Sequence, residues 1–223
     1  MSSDPSTFVP YNAQVLTAQE SFARASAFEA LLEQRRSVRE FSDRPVARDV
    51  VESLVRTASS APSGAHKQPW TFCIVGDPEL KRQIREAAEK EEYENYHGRM
   101  SEEWLQDLAP FGTDWHKPFL TTAPWLIVVF KRAYELSETG ERQKNYYVNE
   151  SVGIACGFLL AAIHNAGLVS LTHTPSPMNF LQRLLDRPAN ERAFLLVPVG
   201  YPAADAQVPK LRRKSLEEMS QIY

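Results

Sequence analysis

The chain has 223 residues, of which 43% are hydrophobic, and a formal net charge of -3. This length suits one large domain or two small ones, and the slight acidity excludes a general cationic surface of the kind that binds nucleic acid or an anionic membrane. Two cysteines, Cys73 and Cys156, are too few for a disulfide scaffold and lack metal-ligand spacing, so we expect a reducing, cytoplasmic setting and no metal site.

The N-terminal part of the chain is predicted to be a polar arm over residues 1–24. It has no basic region followed by an apolar core, so it does not have the pattern of a signal peptide. The most apolar phrase, GIACGFLLAAI at residues 153–163, is much too short to cross a bilayer. We therefore expect a soluble protein with neither a membrane nor a nucleic-acid partner.

Hydrophobic spacing predicts helices and strands that alternate along the rest of the chain. The first helix is predicted at residues 25–36, and a second at 49–58 repeats its pattern. The elements predicted after these are a loop at 61–69, a strand at 70–76, a helix at 78–96, a strand at 123–130, a helix at 143–166, a strand at 168–174, a short helix at 178–185 and a strand at 194–202. This alternation predicts a sheet covered by helices on both faces.

Three segments carry further information. The strand at 123–130 is apolar throughout, which predicts burial on both of its faces. The second half of the helix at 143–166 is apolar on every side, which predicts burial either centrally or against a second subunit. Residues 98–117 mix charges with the isolated Trp104 and Trp115, and we interpret them as a partly helical, mobile segment that these tryptophans anchor.

An arginine-rich stretch, RRSVREF at residues 35–41, places three guanidinium groups and a hydroxyl close together. Guanidinium groups bind phosphate through two parallel hydrogen bonds, so the stretch has the side chains of an anion site. The ordinary alternative is that the arginines pair with nearby surface acids such as Glu33 and Asp43. Neither of the usual glycine-rich nucleotide loops is present in the sequence.

A second motif, APSGAHKQPW at residues 61–70, lies a short distance further along the chain and leads into a strand. Together the two motifs resemble the flavin-dependent nitroreductase superfamily. The resemblance implies an α+β fold with a mixed sheet flanked by helices, an intertwined homodimer, and FMN as the cofactor. The residues that it implies for FMN binding are Arg35, Arg36, Ser37, Arg39, Pro62, Ser63, Gly64, Thr172, His173, Thr174 and Arg213.

Within this set the resemblance implies different contacts. Arg35, Ser37 and Arg213 would bind the phosphate, with Arg212 and Lys214 as neighbouring candidates for the tail arginine. Arg39 would bind the pyrimidine edge, where a cation stabilises the reduced flavin. Thr172 and His173 would flank the ring through their backbone.

Several further phrases resemble the iodotyrosine deiodinases, a family of reductive dehalogenases within that superfamily. They are EEYENYHGRM at residues 91–100, DWHKPFLTTAP at 114–124, SVGIACGFLLAA at 151–162, LVPVGYP at 196–202 and VPKLRRKSL at 208–216. The resemblance covers nearly all of residues 35–216. It implies a soluble bacterial relative with one FMN-binding domain over residues 25–223 and a substrate lid at about 92–117.

The resemblance also implies how a halotyrosine is bound. Glu92 would meet the ammonium group, Lys117 the carboxylate, and Tyr96 would close over the ring. Glu92 and Tyr96 are four residues apart, so a helix places them on one face. The ordinary alternative for that face is a solvated, charged surface.

Two residues are implied to act on the reacting groups. The backbone amide of Ala65 would donate a hydrogen bond to the substrate phenolate, and the hydroxyl of Thr174 would bond flavin N5 and favour one-electron steps. The alternative for Thr174 is a local turn bond at the end of a strand.

Three functions follow from these observations. The first is FMN-dependent reductive dehalogenation of 3-halotyrosines such as iodotyrosine and bromotyrosine. The second is a general NADH- or NADPH-dependent nitroreductase or quinone reductase. Such an enzyme needs an open flavin face and no side chains that bind the charged groups of an amino acid. The third is a non-enzymatic flavin-binding or ligand-binding module. Because the sequence has no fingerprint for a nicotinamide nucleotide, a separate NAD(P)H-dependent electron donor is a further possible partner.

Overall fold

The computed structural model describes residues 8–223, so residues 1–7 of the predicted arm lie outside the described range. The described chain forms two compact units that divide between Arg35 and Arg36. The predicted boundary between arm and domain, at residue 24, falls inside the first of these units. A single domain that begins at residue 25 remains a prediction.

The first unit contains helix α1 (Ala18–Glu33), which begins earlier than the predicted residue 25. The hydroxyl of Thr17 accepts a hydrogen bond from the backbone N–H of Glu20, and the carboxylate of Glu20 accepts one from the backbone N–H of Thr17, at 3.3 and 2.9 Å. This capping box satisfies two backbone donors at the helix start. The prediction from leucine spacing alone was therefore wrong about where the helix begins.

The second unit contains the remaining helices and all the strands of the described residues. They are α2 (Arg48–Ser59), β1 (Trp70–Val75), α3 (Pro78–Glu94), α4 (Glu102–Leu108), α5 (Phe119–Thr122), β2 (Trp125–Arg132), β3 (Tyr134–Leu136), β4 (Arg142–Lys144), α6 (Val148–Asn165), β5 (Val169–Ser170), α7 (Asn179–Leu184), β6 (Glu191–Gly200) and α8 (Leu216–Met219). Helices and strands therefore alternate broadly as the sequence predicts.

The main sheet has the strand order β1-β2-β6-β5, and all its ladders are antiparallel. The parallel pairing of the expected mixed sheet is present as an isolated bridge between Ser37 and Ser170. The strand predicted at 168–174 pairs only at Val169 and Ser170, after which a bridge from His173 to Leu196 returns the chain to β6.

Strands β3 and β4 form a separate hairpin that the sequence analysis did not predict. All three residues of β4 are exposed, so the strand lacks the alternation of apolar and polar residues by which strands are recognised. The helix predicted at 143–166 consequently begins only at Val148, after Tyr147 has turned the chain with a φ of 47°.

Strand β2 lies at the centre of the core. Its residues from Leu126 to Phe130 are fully buried, which confirms the prediction of burial on both faces. Ile127 and Val129 pack with residues of α2 and α6, whereas the alternate residues pack with α3, α5 and α7. Helices therefore cover both faces of the sheet, as predicted.

Helix α6 is apolar on every side, but only one of its faces is covered. Leu159 and Ile163 are fully buried, whereas Ile154 and Phe158, on another face, are 42% and 40% exposed. None of the described helices is both long and apolar enough to cross a membrane.

Candidate active site

Helix α3 places the first two predicted substrate-binding residues. The carboxylate of Asp77 accepts a hydrogen bond from the backbone N–H of Leu80 at 2.7 Å and so caps the helix start. Glu92 lies in the last turn, and the chain continues as a wider π-helical turn, Asn95–Arg99, which carries Tyr96. Turns of this kind occur frequently at functional sites.

The structure brings Lys117 to the same place from the segment that precedes α5. Lys117 Nζ lies 3.5 Å from Glu92 Oε2 and 5.4 Å from the centre of the Tyr96 ring. Its ammonium group also donates to Thr113 Oγ1 at 3.3 Å and to the carbonyl oxygen of Asp114. The three residues that the sequence analysis assigned to a halotyrosine are therefore neighbours.

The Glu92–Lys117 pair is buried, with 6% and 4% of the two residues exposed. Burial raises the pKa of Glu92 and lowers the pKa of Lys117, and each charge partly offsets this effect on its partner. A buried ion pair costs free energy of desolvation that its own attraction repays only in part. Contacts of Glu92 and Lys117 with two opposite charges of a ligand could therefore replace the contact between them.

These residues line a cavity of about 150 Å³. The lining is Arg39, Glu92, Tyr96, Met100, Trp104, Leu108, Thr113, Lys117, Phe119, Leu171, Thr172, His173 and Thr174. Charged groups and apolar groups both face the cavity. It therefore suits a ligand that has both ionic and aromatic parts.

Residues 172–174 reach the cavity from the chain after β5. Thr172 and Thr174 are exposed, whereas His173 between them is buried. The N–H and carbonyl groups of His173 pair with Leu196 at 2.8 and 3.0 Å, so they are occupied within the sheet. The predicted backbone contacts of Thr172 and His173 to a flavin stay a prediction.

The imidazole of His173 has a different feature of interest. Its Nε2 is buried and has no hydrogen-bond partner among the described residues, and its ring packs edge-on against Phe119 at 5.6 Å. Burial, helped by the charges of Lys117 and Arg39, lowers its pKa from 6.5 to about 3. The ring is therefore neutral at physiological pH.

Arg39 lies between this cavity and a second one of about 340 Å³, and it lines both. Ser37, Glu40, Phe111 and Pro209 also line the second cavity. Burial lowers the pKa of Arg39. Within the described part of the chain no carboxylate lies in ion-pair distance of Arg39, so this cation suits an anionic or electron-rich ligand group.

The other predicted arginines have different surroundings. Arg36 donates from Nη2 to the carbonyl oxygen of Pro209, while Arg35 falls at the end of the first unit. In the C-terminal tail Arg212 pairs with Glu218 at 2.5 Å, and Arg213 beside it is exposed.

The loop that carries Pro62, Ser63, Gly64 and Ala65 lines neither of these two cavities. It is held from one side, because Gly64 N–H donates to Ser151 Oγ of α6 at 3.4 Å. A side chain at Gly64 would lie 2.9 Å from the ring of Tyr147, so the close packing here requires glycine. Neither of these two cavities is therefore lined both by this loop and by the substrate residues.

Ala65 lies in strained backbone. Its φ is 48°, and His66 and Gln68 nearby also have positive φ values, of 53° and 46°. A left-handed conformation costs about 1–2 kcal/mol for a residue other than glycine, and such strain is concentrated at functional sites.

Replacing Ala65 with glycine is expected to raise the free energy of unfolding by about 0.5–1 kcal/mol, because relief of this strain exceeds the added entropy of the unfolded chain. The matched control is Ala109→Gly, since Ala109 is exposed and has an ordinary φ of -54°; it should lower stability by a similar amount. Urea unfolding monitored by circular dichroism measures both changes. A loss of stability in Ala65→Gly would show that this backbone is not strained.

Several residues of the site were not found by sequence reasoning. Thr113 contacts both Lys117 and Tyr96, whose hydroxyl donates to the Thr113 carbonyl oxygen at 3.2 Å. Phe119 and Leu171 form an apolar wall of the cavity. Trp104, which we interpreted as an anchor of the lid, is 55% exposed and also lines the cavity. No periodic pattern marks these residues, because they meet only through the fold.

The chain is similar to known proteins along most of its length. A family model described as the nitroreductase family matches residues 32–201. An iodotyrosine deiodinase of Haliscomenobacter hydrossis is 62% identical over 216 residues, 97% of this chain and 97% of that protein. An iodotyrosine deiodinase of Nematostella vectensis is 48% identical, with 94% of this chain and 80% of that protein covered.

This chain is also similar to a solved structure. The crystal structure of oxidised iodotyrosine deiodinase bound to FMN and 3-iodo-L-tyrosine matches with a TM-score of 0.74 and 31% sequence identity. The match covers 87% of this chain and 100% of that chain.

Proposed function

This chain belongs to the nitroreductase family and, within it, to the iodotyrosine deiodinases, and we propose from this that it is an FMN-dependent oxidoreductase that removes halide from 3-halotyrosines. The substrates are iodotyrosine and bromotyrosine, and the products are tyrosine and the halide ion. Family membership supplies the reaction.

The observation that carries the proposal is the buried pair of Glu92 and Lys117 beside the Tyr96 ring. A free amino acid has an ammonium and a carboxylate group on one carbon. Glu92 would bind the first and Lys117 the second, so one buried ion pair would be exchanged for two at no further cost of burying the protein charges. Tyr96 would cover the substrate ring.

The described residues fit FMN in two respects. Arg39 presents a half-buried cation between the two cavities without a carboxylate in ion-pair distance within the described range. Ser37 and Arg39 line the larger cavity, and Arg36 lies beside it through Pro209. We propose that Arg35, Ser37 and Arg213 bind the phosphate, that Arg36 contributes to the same FMN site, and that Arg39 binds the pyrimidine edge, where its charge stabilises a reduced flavin.

The reaction needs two electrons and one proton for each halide released, because a carbon–halogen bond is replaced by a carbon–hydrogen bond. FMN, when bound, supplies the electrons. The chain orients the ring through Glu92 and Lys117, and we propose that the Ala65 amide stabilises the phenolate. Thr174 is exposed at the cavity, where its hydroxyl is available to flavin N5.

We propose that the active form is a homodimer. Ile154 and Phe158 present an uncovered apolar face of α6, and a side chain at Gly153 or Gly157 would meet no heavy atom of the described chain within 4 Å. Small residues on such a face allow a second helix to approach closely. Because the loop at Pro62–Ala65 lines neither cavity, a second copy that supplies this loop would complete each site.

We propose three further features. The electron donor is a separate NAD(P)H-dependent reductase, or NADPH directly. The cytoplasm suits both cysteines, which form no disulfide. Residues 92–117 act as a lid that orders over bound substrate, since Trp104 and Leu108 of α4 line the cavity from this segment.

The activity is tested by reducing the FMN-loaded protein with dithionite in the presence of 3-iodo-L-tyrosine and measuring iodide and tyrosine. We expect one tyrosine for each iodide released. Free FMN under the same conditions is the control for chemistry in solution. Rapid reduction of nitroaromatics or quinones by NADPH, without iodide release from iodotyrosine, would favour the general reductase instead. FMN binding with no turnover of either substrate class would favour a ligand-binding module.

A further inference from the structure

One face of helix α3 carries a row of polar side chains that bind the segment from Lys117 to Ala123. We call Lys81, Arg85 and Glu89 the α3 clamp. The three residues are four positions apart, so they follow one another along the same face of the helix. Glu92 continues the row at the substrate cavity.

Lys81 binds the far end of the segment. This residue is 7% exposed, and its ammonium group donates to the carbonyl oxygens of Ala123 and Thr121 at 2.8 and 3.2 Å. These carbonyls lie at the C-terminal end of the short helix α5, where backbone acceptors lack partners within the helix. Lys81 therefore fixes the end of α5 against α3.

Arg85 also contacts Thr121, and Glu89 binds the near end of the segment at Lys117. Arg85 donates to Thr121 Oγ1 at 3.0 Å and to Glu89 Oε1 at 2.7 Å. Glu89 Oε1 also accepts the backbone N–H of Lys117 at 2.7 Å. Only 17% of the Glu89 side chain is exposed, so these hydrogen bonds are largely shielded from water.

Lys117 is consequently held by Glu89 at its backbone, and by Glu92, Thr113 and Asp114 at its ammonium group. The contacts with Glu89 and with Glu92 differ once a ligand is bound. An amino acid that binds Glu92 and Lys117 takes over the side-chain contact, whereas the backbone contact to Glu89 involves no atom of the binding groups. Glu89 therefore continues to position Lys117 when the pair has opened.

We propose that Glu89 is a positioning residue for recognition of the substrate carboxylate, acting through the backbone of Lys117. This inference rests on the proposed function, because it assumes that Lys117 binds the carboxylate of a halotyrosine. Glu89 itself touches no substrate. Its role is to hold the Lys117 ammonium group at a fixed distance from Glu92.

The test uses the FMN-loaded protein and two variants. Glu89→Ala removes the acceptor, whereas Glu89→Gln keeps an amide oxygen that accepts the Lys117 N–H. We expect Glu89→Ala to weaken binding of 3-iodo-L-tyrosine about 10- to 50-fold and Glu89→Gln less than about 5-fold, because misplacement of a binding group by about 1 Å has effects of this size. Binding of 2-iodophenol, which has no carboxylate, should be unchanged in both. Glu86→Ala is the control, since Glu86 is on the same helix and 61% of its side chain is exposed.

Hydrogen exchange provides a readout that needs no substrate. The amide of Lys117 should be protected in the wild type and in Glu89→Gln, and it should exchange faster in Glu89→Ala. If Glu89→Ala binds 3-iodo-L-tyrosine normally, or if its affinities for iodotyrosine and iodophenol fall equally, the proposal that Glu89 positions Lys117 is wrong. If the wild type binds no iodotyrosine while the exchange pattern is as expected, Glu89 holds Lys117 but the proposed substrate is wrong.

Discussion

Replacing Lys117 with alanine is expected to weaken binding of 3-iodo-L-tyrosine to the FMN-loaded protein at least about 100-fold, equivalent to about 3 kcal/mol. The change removes the cation proposed to bind the carboxylate. In the complex it also leaves the substrate carboxylate without its cation at a buried position, since Lys117 is only 4% exposed. An unpaired buried charge is costly, so the loss should exceed that of an exposed ion pair.

Binding is measured by quenching of flavin fluorescence, with 3-iodo-L-tyrosine and 2-iodophenol as parallel ligands. Lys117→Ala should leave the affinity for the phenol unchanged, because that ligand has no carboxylate. Lys90→Ala is the matched control, since Lys90 is an exposed lysine on α3. Glu92→Gln should act like Lys117→Ala, and the double variant should lose less than the sum because both side chains bind one ligand. Equal losses for amino acid and phenol would contradict a site for the two charges.

The flavin-free protein is expected to lose about 2.3 kcal/mol of its free energy of unfolding through His173 alone when the pH is lowered from 6.5 to 4.5. The pKa of this side chain is 6.5 in its ordinary state and about 3 when folded. Between these values the unfolded chain binds a proton that the folded protein does not. The contribution of His173 to the free energy of unfolding is therefore fully present above pH 6.5 and is lost as the pH falls toward 3.

His173→Gln isolates this contribution, because glutamine is neutral throughout the range. Urea unfolding at a series of pH values should show stability that falls by about 1.4 kcal/mol per pH unit more steeply in the wild type than in the variant. His97→Gln is the control, since His97 is exposed. Parallel pH profiles of wild type and His173→Gln would show that water or a nearby acceptor reaches the ring.

The sequence predicted those parts of the fold that leave a local signature. The uniformly apolar strand β2 and the helix α3, which Asp77 caps and which has Pro78 in its first turn, were both placed correctly. Helix α1 was placed too late because leucine spacing was preferred to the capping pattern formed by Thr17 and Glu20. Strand β4, with every residue exposed, has no pattern to read.

The site was predictable to a similar degree. Glu92, Tyr96 and Lys117 were found through their likeness to a family, and the structure brings them together. The contact between Glu89 and the backbone of Lys117 was not predictable, because it joins residues 28 positions apart without a motif. The burial of His173 was likewise invisible, since it depends on Phe119 and on pairing with β6.

The α3 clamp also limits how this chain can change in length. Each residue turns an α-helix by about 100°, so one residue inserted between Lys81 and Glu92 would rotate every later side chain away from the segment it binds. Substitutions in this stretch can be accepted one at a time, whereas insertions and deletions would disconnect Glu89 and Glu92 from Lys117 together. We expect natural variants of this enzyme to differ in residue type along α3 and to keep the number of residues from Lys81 to Glu92 constant.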